Sequence, residues 1–245
     1  MKLLLHSLFA ISFITLFAGP VDAQPDPGTS PAPAKVEASP ALAPSKLLYK
    51  PPTDAGKIPV RVSGGARGSG ADASLLALVP DHAALTTQAQ PSLFWFQSKP
   101  ANAKLELTLV EPKKPKPLLS LTSPGSDKAG IQRVKLAKHK VELQSDVVYE
   151  WMVAIVPDPK NRSKDVIAKG VIKRIKAPDD LAKKVENQDD VGRATAYAQA
   201  GIWYDALEAI SNAVDARPDD ASLRAQRASL LQQVGLSEAA AADKK

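Results

Sequence analysis

Apolar and polar positions change their period along this 245-residue chain, and the change divides it. From Pro59 to Lys176 the period is two. Leu105, Leu107 and Leu109 alternate with Lys104, Glu106 and Thr108, so one face of that segment is buried and the other is wet. Ser92-Leu93-Phe94-Trp95-Phe96 follows Pro91 and is largely apolar, as in a strand covered on both sides. Tyr149, Trp151, Val153 and Ile155 fall on one strand face; Val171, Lys173 and Ile175 close the series, with Ile172 on the opposite face. Turn residues separate the runs at Pro112 to Pro117, Ser123-Pro124-Gly125 and Pro157-Asp158-Pro159. Roughly seven short strands with frequent turns predict an antiparallel β-sandwich of immunoglobulin-like size over residues 58–176, with the strand order open.

From residue 177 to 245 the period becomes helical, so the fold class read from the pattern is α+β. Pro178 followed by Asp179 and Asp180 marks a helix start. Ala194, Tyr197 and Ala198 give one stripe before Gly201; Trp203, Leu207, Ile210 and Val214 give the next, before Arg217-Pro218-Asp219 turns the chain. Leu223, Leu230, Leu231 and Val234 give a third that stops at Gly235, with Arg227 expected to lend it only an aliphatic stem. Gly201-Ile202 and Gly235-Leu236 stand 34 residues apart, the tetratricopeptide period. One unit and part of another are too few for a free-standing solenoid. The helices are therefore expected to pack on the sandwich or to meet a partner, with Trp203 and Tyr204 at that contact.

The first residues read as an address. Met1-Lys2 is positive, Leu3 to Phe17 is apolar apart from His6, Ser7, Ser12 and Thr15, and Val21-Asp22-Ala23 places small residues where a signal peptidase cuts. A signal peptide over residues 1–23 implies a periplasmic or secreted product without a lipid-bearing Cys. The apolar run is also short of the roughly 20 residues of a membrane span, and no transmembrane segment is expected after cleavage. Residues 24–57 hold eight prolines among Ala, Ser and Thr, a composition expected to stay extended as a tether.

Composition narrows the chemistry. With no Cys there is no disulfide framework, thiol nucleophile or Cys-bound metal. His82 and His139 stand alone, without a second His at ligand spacing, so neither a metal nor a cofactor is expected. Gly64-Gly65-Ala66-Arg67-Gly68-Ser69-Gly70 lacks the Lys-Ser/Thr ending of a phosphate loop and the Gly-x-Ser-x-Gly of a serine hydrolase. A tight turn is its simpler use, with Arg67 free to reach a carbonyl or a ligand carboxylate. The polar turn Asp158 to Ser163 places Arg162 as a second candidate binding residue. The +6 net charge is itself divided: residues 24–176 carry 23 basic and 13 acidic side chains, residues 177–245 carry 8 and 12. A basic module beside an acidic one implies docking between them or a basic face for an anionic partner. Nucleic acid is not expected, because basic residues are not interleaved with exposed aromatics.

The order of several short runs resembles a bacterial family, domain of unknown function 928. They are Gly64-Gly65-Ala66-Arg67-Gly68, Leu75 to Pro80, Pro91 with Phe94-Trp95-Phe96, Tyr149-Glu150-Trp151, the turn from Asp158-Pro159 to Val166, and Gly201-Ile202-Trp203-Tyr204-Asp205-Ala206-Leu207. The resemblance spans about Val60 to Gly235 and implies an exported protein with a β-rich region and a helical tail. It also implies Cys near position 70 and just before the Asp-Pro turn, where this chain has Gly70 and Val156, so a bridge would be replaced here by packing. Together these readings predict a non-enzymatic accessory protein of the cell envelope that acts through protein–protein interaction. The alternatives are a binding module for an anionic envelope polymer on the basic β face, and a hydrolase of an unrecognised type.

Overall fold

Alternating burial in Lys104–Val110 and in the first half of Val148–Val156 follows the two-residue period, and register turns it into a core. A computed structural model describes residues 47–53, 64–65 and 74–244. The leader, most of the tether, and the stretch with Arg67 and Gly70 lie outside the described residues. The strands are β1 (Gly64–Gly65), β2 (Ser74–Ala77), β3 (Ala84–Thr86), β4 (Ser92–Gln97), β5 (Lys104–Val110), β6 (Leu119–Pro124), β7 (Gly130–Lys135), β8 (Val148–Val156) and β9 (Val166–Arg174). They form two sheets, ordered β1-β2-β4-β7 and β3-β9-β8-β5-β6. All neighbours are antiparallel except β3 and β9, a departure from the all-antiparallel expectation. A parallel pair needs a long crossover, and here the chain between its members runs through β4 to β8.

Leu107 pairs with Val153, and Val153 with Ala168, and all three are fully buried. Tyr149 pairs with Ile172, which places both side chains on the same face. The inner face of β9 is therefore Val166, Ala168 and Ile172; Val171 on the opposite face is buried too, and Ile175 falls just beyond the strand. Trp151 lies opposite Gly170, where a Cβ would stand 2.8 Å from the indole. Glycine is the residue that leaves room for the ring. All six residues of β4 are buried, as its apolar sequence predicts.

Five helices follow: α1 (Asp179–Glu186), α2 (Asp190–Gln199), α3 (Trp203–Ala216), α4 (Ala221–Gln233) and α5 (Ser237–Asp243). Asp189 caps α2 by accepting from Gly192 N at 2.8 Å, and Asp220 caps α4 by accepting from Ser222 N at 3.0 Å. The two glycines 34 residues apart end α2 and α4 in the same way. Gly201 and Gly235 have φ of +75° and +74°, and the next amide in each case reaches back to the carbonyl five residues earlier: Ile202 N to Tyr197 O and Leu236 N to Leu231 O. Among the described residues no helix is long and apolar enough to cross a membrane.

Two expectations about burial are corrected. Arg227 contributes more than a stem: its Nε and Nη2 donate to Asp243 at 2.8 and 2.5 Å, and Nη1 donates to Ser211 Oγ, fastening α5 to α3 and α4. Leu47 to Lys50, assigned by proline spacing to the tether, are packed. Leu47 and Tyr49 are buried, and the side-chain amide of Gln233 grips the backbone on both sides of Leu48, accepting from Tyr49 N and donating to Leu47 O, both at 2.9 Å.

Candidate functional site

Polar residues on α3 recur at Asp205, Glu208, Asn212 and Asp215, spacings of three and four that place them along one side of the helix. Each finds a partner in the β region. Thr86 Oγ1 donates to Asp205 Oδ1 at 2.5 Å, and the backbone N and hydroxyl of Thr87 donate to Oδ2. Ser92 donates through N and Oγ to Glu208, at 3.3 and 2.7 Å. Arg133 of β7 donates to Asn212 Oδ1 at 2.8 Å and Asp215 Oδ2 at 2.6 Å. The acidic helical region thus meets the β region through α3, which touches both sheets.

The apolar side of α3 is equally committed. Trp203 and Tyr204 are fully buried. Trp203 Nε1 donates to Leu78 O at 2.8 Å, and Tyr204 Oη accepts from Trp151 Nε1 at 2.7 Å while donating to Val171 O at 3.2 Å. Of the two roles the sequence allows them, these residues take packing on the sheets, and a partner cannot reach them. Tyr49 fills the adjoining slot, with its ring edge-on to Trp203 at 5.1 Å and stacked with His82 at 6.0 Å. His82 Nδ1 faces the Ala83 carbonyl, so Nδ1 carries the proton and Nε2 accepts from the Tyr49 hydroxyl at 3.2 Å. Burial first, and then the charge of Asp81, raises the Tyr49 phenol above its ordinary range.

Burial also pushes the Asp205 carboxyl up to about 6, against the opposing pull of the Thr86 and Thr87 hydrogen bonds. Asp205 stands in the wall of a cleft of about 360 Å³ between α1, α2 and α3, lined among others by Gln88, Glu186, Asp190, Arg193 and Glu208. Arg193 Nη1 lies 3.5 Å from Asp190, which leaves the lining negative on balance.

Arg162 stands elsewhere, in the β8–β9 turn. Its guanidinium donates twice to Glu106, at 3.2 and 2.7 Å, and once to Asp165 at 2.7 Å. Those carboxylates raise its pKa further, with the Glu106 hydrogen bond the largest cause. The side chain ties the turn to β5 and stays half exposed. Arg67 lies outside the described residues, and none of the other three sequence candidates, Arg162, Trp203 and Tyr204, lines the cleft. Among the described residues, no three His, Asp or Glu side chains come together to hold a metal ion. Asp205 and Glu208 were missed, although their spacing from Asn212 and Asp215 was visible as a polar stripe.

Two sheets followed by five C-terminal helices, in contact through both sides of α3, define an α+β protein. The chain belongs to the family described as Domain of Unknown Function (DUF928), whose profile matches residues 62–244. Among curated proteins no match is found.

Proposed function

We propose that the protein is an exported accessory protein of the cell envelope that binds another protein and catalyses no reaction. The observation that carries this reading is the cleft between α1, α2 and α3. At about 360 Å³ it accommodates a side chain or two, and Glu186, Asp190 and Glu208 outnumber Arg193 in its lining. It would take a cationic side chain from a partner. This wall is held in place, because Asp205 and Glu208 are bonded to Thr86, Thr87 and Ser92. In this reading the two sheets form the sandwich that serves as scaffold. The α2–α3 and α4–α5 pairs are tetratricopeptide-like units that gain from the sheets the support a longer solenoid would supply. The periplasmic or secreted address rests on the leader.

A photo-crosslinking amino acid placed at position 186 of the full-length protein, expressed in its own envelope, tests the reading. The expected result is a discrete adduct that disappears when Asp190 is changed to Lys. No adduct at position 186 or at position 212 would overturn it. Mass spectrometry of the purified product tests the address: its N-terminus should be Gln24, and retention of Met1 refutes export with cleavage.

A further inference from the structure

Sheet edges invite pairing with other chains unless they are covered, charged or very short. Most edges here are managed. The helix α3 covers β3 and is bonded to the chain at Thr86 and Thr87. The outer edge of the other sheet, β7, carries Arg133, engaged by Asn212 and Asp215, and Lys135. At the opposite side β1 is two residues long.

The remaining edge is β6, Leu-Ser-Leu-Thr-Ser-Pro, which bears no charge. Among the described residues nothing pairs with its outer side. Gly125 N donates to Ala103 O at 2.7 Å, which makes Leu105↔Ser123 and Leu107↔Leu121 the bonded pairs of the β5–β6 ladder. The N–H and C=O of Ser120 and Thr122 therefore point away from the sheet. Leu118, which leads into the strand, is 41% exposed, one of two large hydrophobic residues so exposed among those described.

Charge narrows what would cover this edge. Lys113, Lys114 and Lys116 precede the strand, Lys104 lies opposite its last residue, and Lys128 follows it. Two nearby acids are occupied: Glu106 by Arg162, and Glu111 by Lys114 at 3.6 Å. Antiparallel pairing of two β6 edges would set the lysines at the start of one strand against Lys104 and Lys128 of the other copy, so a second copy is disfavoured. A groove of about 570 Å³ between residues 101–104 and 122–125 continues from the end of the strand.

We propose that β6 is the addition site for an extended strand of a partner protein. That strand pairs its backbone with Ser120 and Thr122, carries acidic residues on both flanks, and lays one end in the groove beside Gly125. The proposal rests on the reading that the protein acts by binding another protein, and it places that contact on a surface remote in sequence from the α1–α3 cleft.

The test is fluorescence anisotropy on the full mature protein, with a labelled peptide of alternating Val and Thr flanked by two Glu at each end. Saturable binding is expected, and it should weaken at least tenfold between 50 and 300 mM salt. Thr122→Pro removes an outward N–H and no ladder donor, and should cost at least tenfold in affinity. Lys116→Glu with Lys128→Glu, both exposed, should cost at least fivefold and covers the case in which the proline variant fails to fold. Lys183→Glu, an exposed charge reversal on α1, should bind as the parent does. No saturable binding would overturn the proposal, as would equal binding of a Lys-flanked peptide, or self-association of the protein that Thr122→Pro abolishes. An adduct at position 186 without peptide binding overturns the edge and leaves the cleft reading standing; peptide binding at β6 without that adduct does the reverse.

Discussion

Asp205 provides a quantitative test of how α3 is held. Its carboxyl is almost wholly buried, and its pKa rises from 3.8 to about 6 because burial outweighs three hydrogen bonds from Thr86 and Thr87. Between those two values the folded protein holds a proton that the unfolded chain has released, so stability falls as pH rises through this window. At roughly 1.4 kcal/mol per pH unit, the protein should gain about 3 kcal/mol from this group on going from pH 7.5 to pH 3.5. Asp205→Asn removes the titration. It also turns an amide N–H toward the Thr87 donors, a pH-independent loss of about 1–3 kcal/mol. Urea unfolding of both proteins across pH 3.5 to 7.5, read as the difference between the two stability curves, isolates the carboxyl from every other titrating group. The difference should grow in favour of the parent as pH falls through about 6. A flat difference, or one that shrinks with acid, would show that the hydrogen bonds prevail over burial and would refute the reasoning. Glu208→Gln should move the inflection to lower pH, because the Glu208 charge contributes to the rise.

Other contacts give sharper contrasts. Arg227→Met and Asp243→Leu should each destabilise by about 3–5 kcal/mol, whereas the double variant should recover much of that loss, because the pair is buried and breaking it strands a charge; urea midpoints of the four proteins decide. Arg162→Ala should shift the urea midpoint far less than either single change at the Arg227–Asp243 pair, since its guanidinium is half exposed and its pair with Glu106 is screened. Tyr204→Phe leaves the buried Trp151 Nε1 without its acceptor and should cost about 1–3 kcal/mol, with a change in tryptophan fluorescence; an unchanged melting temperature would show that the bond contributes nothing. Gly201→Ala meets both a positive φ and a Cβ placed 2.8 Å from the Lys50 carbonyl, so it should destabilise by more than about 1 kcal/mol and expose the Leu47–Lys50 segment to protease.

Much of the architecture was legible because it depends on short-range periodicity. The burial of β4 and β5, the turns beside Pro112 and Pro159, the start of α1, and the stops at Gly201 and Gly235 all depend on residues within one or two turns of chain. Where the reading failed, partners were distant. Ile172 faces inward because of its register with Tyr149, 23 positions away. Arg227 is buried with its charge because α5, too short to announce itself, delivers Asp243. Leu47 and Tyr49 are surrounded by prolines and read as tether until Gln233, more than 180 residues later, takes their backbone groups. Of the candidate binding residues, Trp203 and Tyr204 carried a signal of size and aromaticity that serves a core as well as an interface.

Local pattern and composition were enough for the α+β order, the family, the main strands and helices, and the division of charge at residue 176. Contacts between distant segments decided that α3 touches both sheets, that burial raises the Asp205 carboxyl, that the cleft beside it exists, and that among the described residues nothing pairs with the outer side of β6. Those are properties of pairings between residues far apart in the chain, where desolvation and the geometry of unpaired backbone groups arise only once the sheets and helices have met.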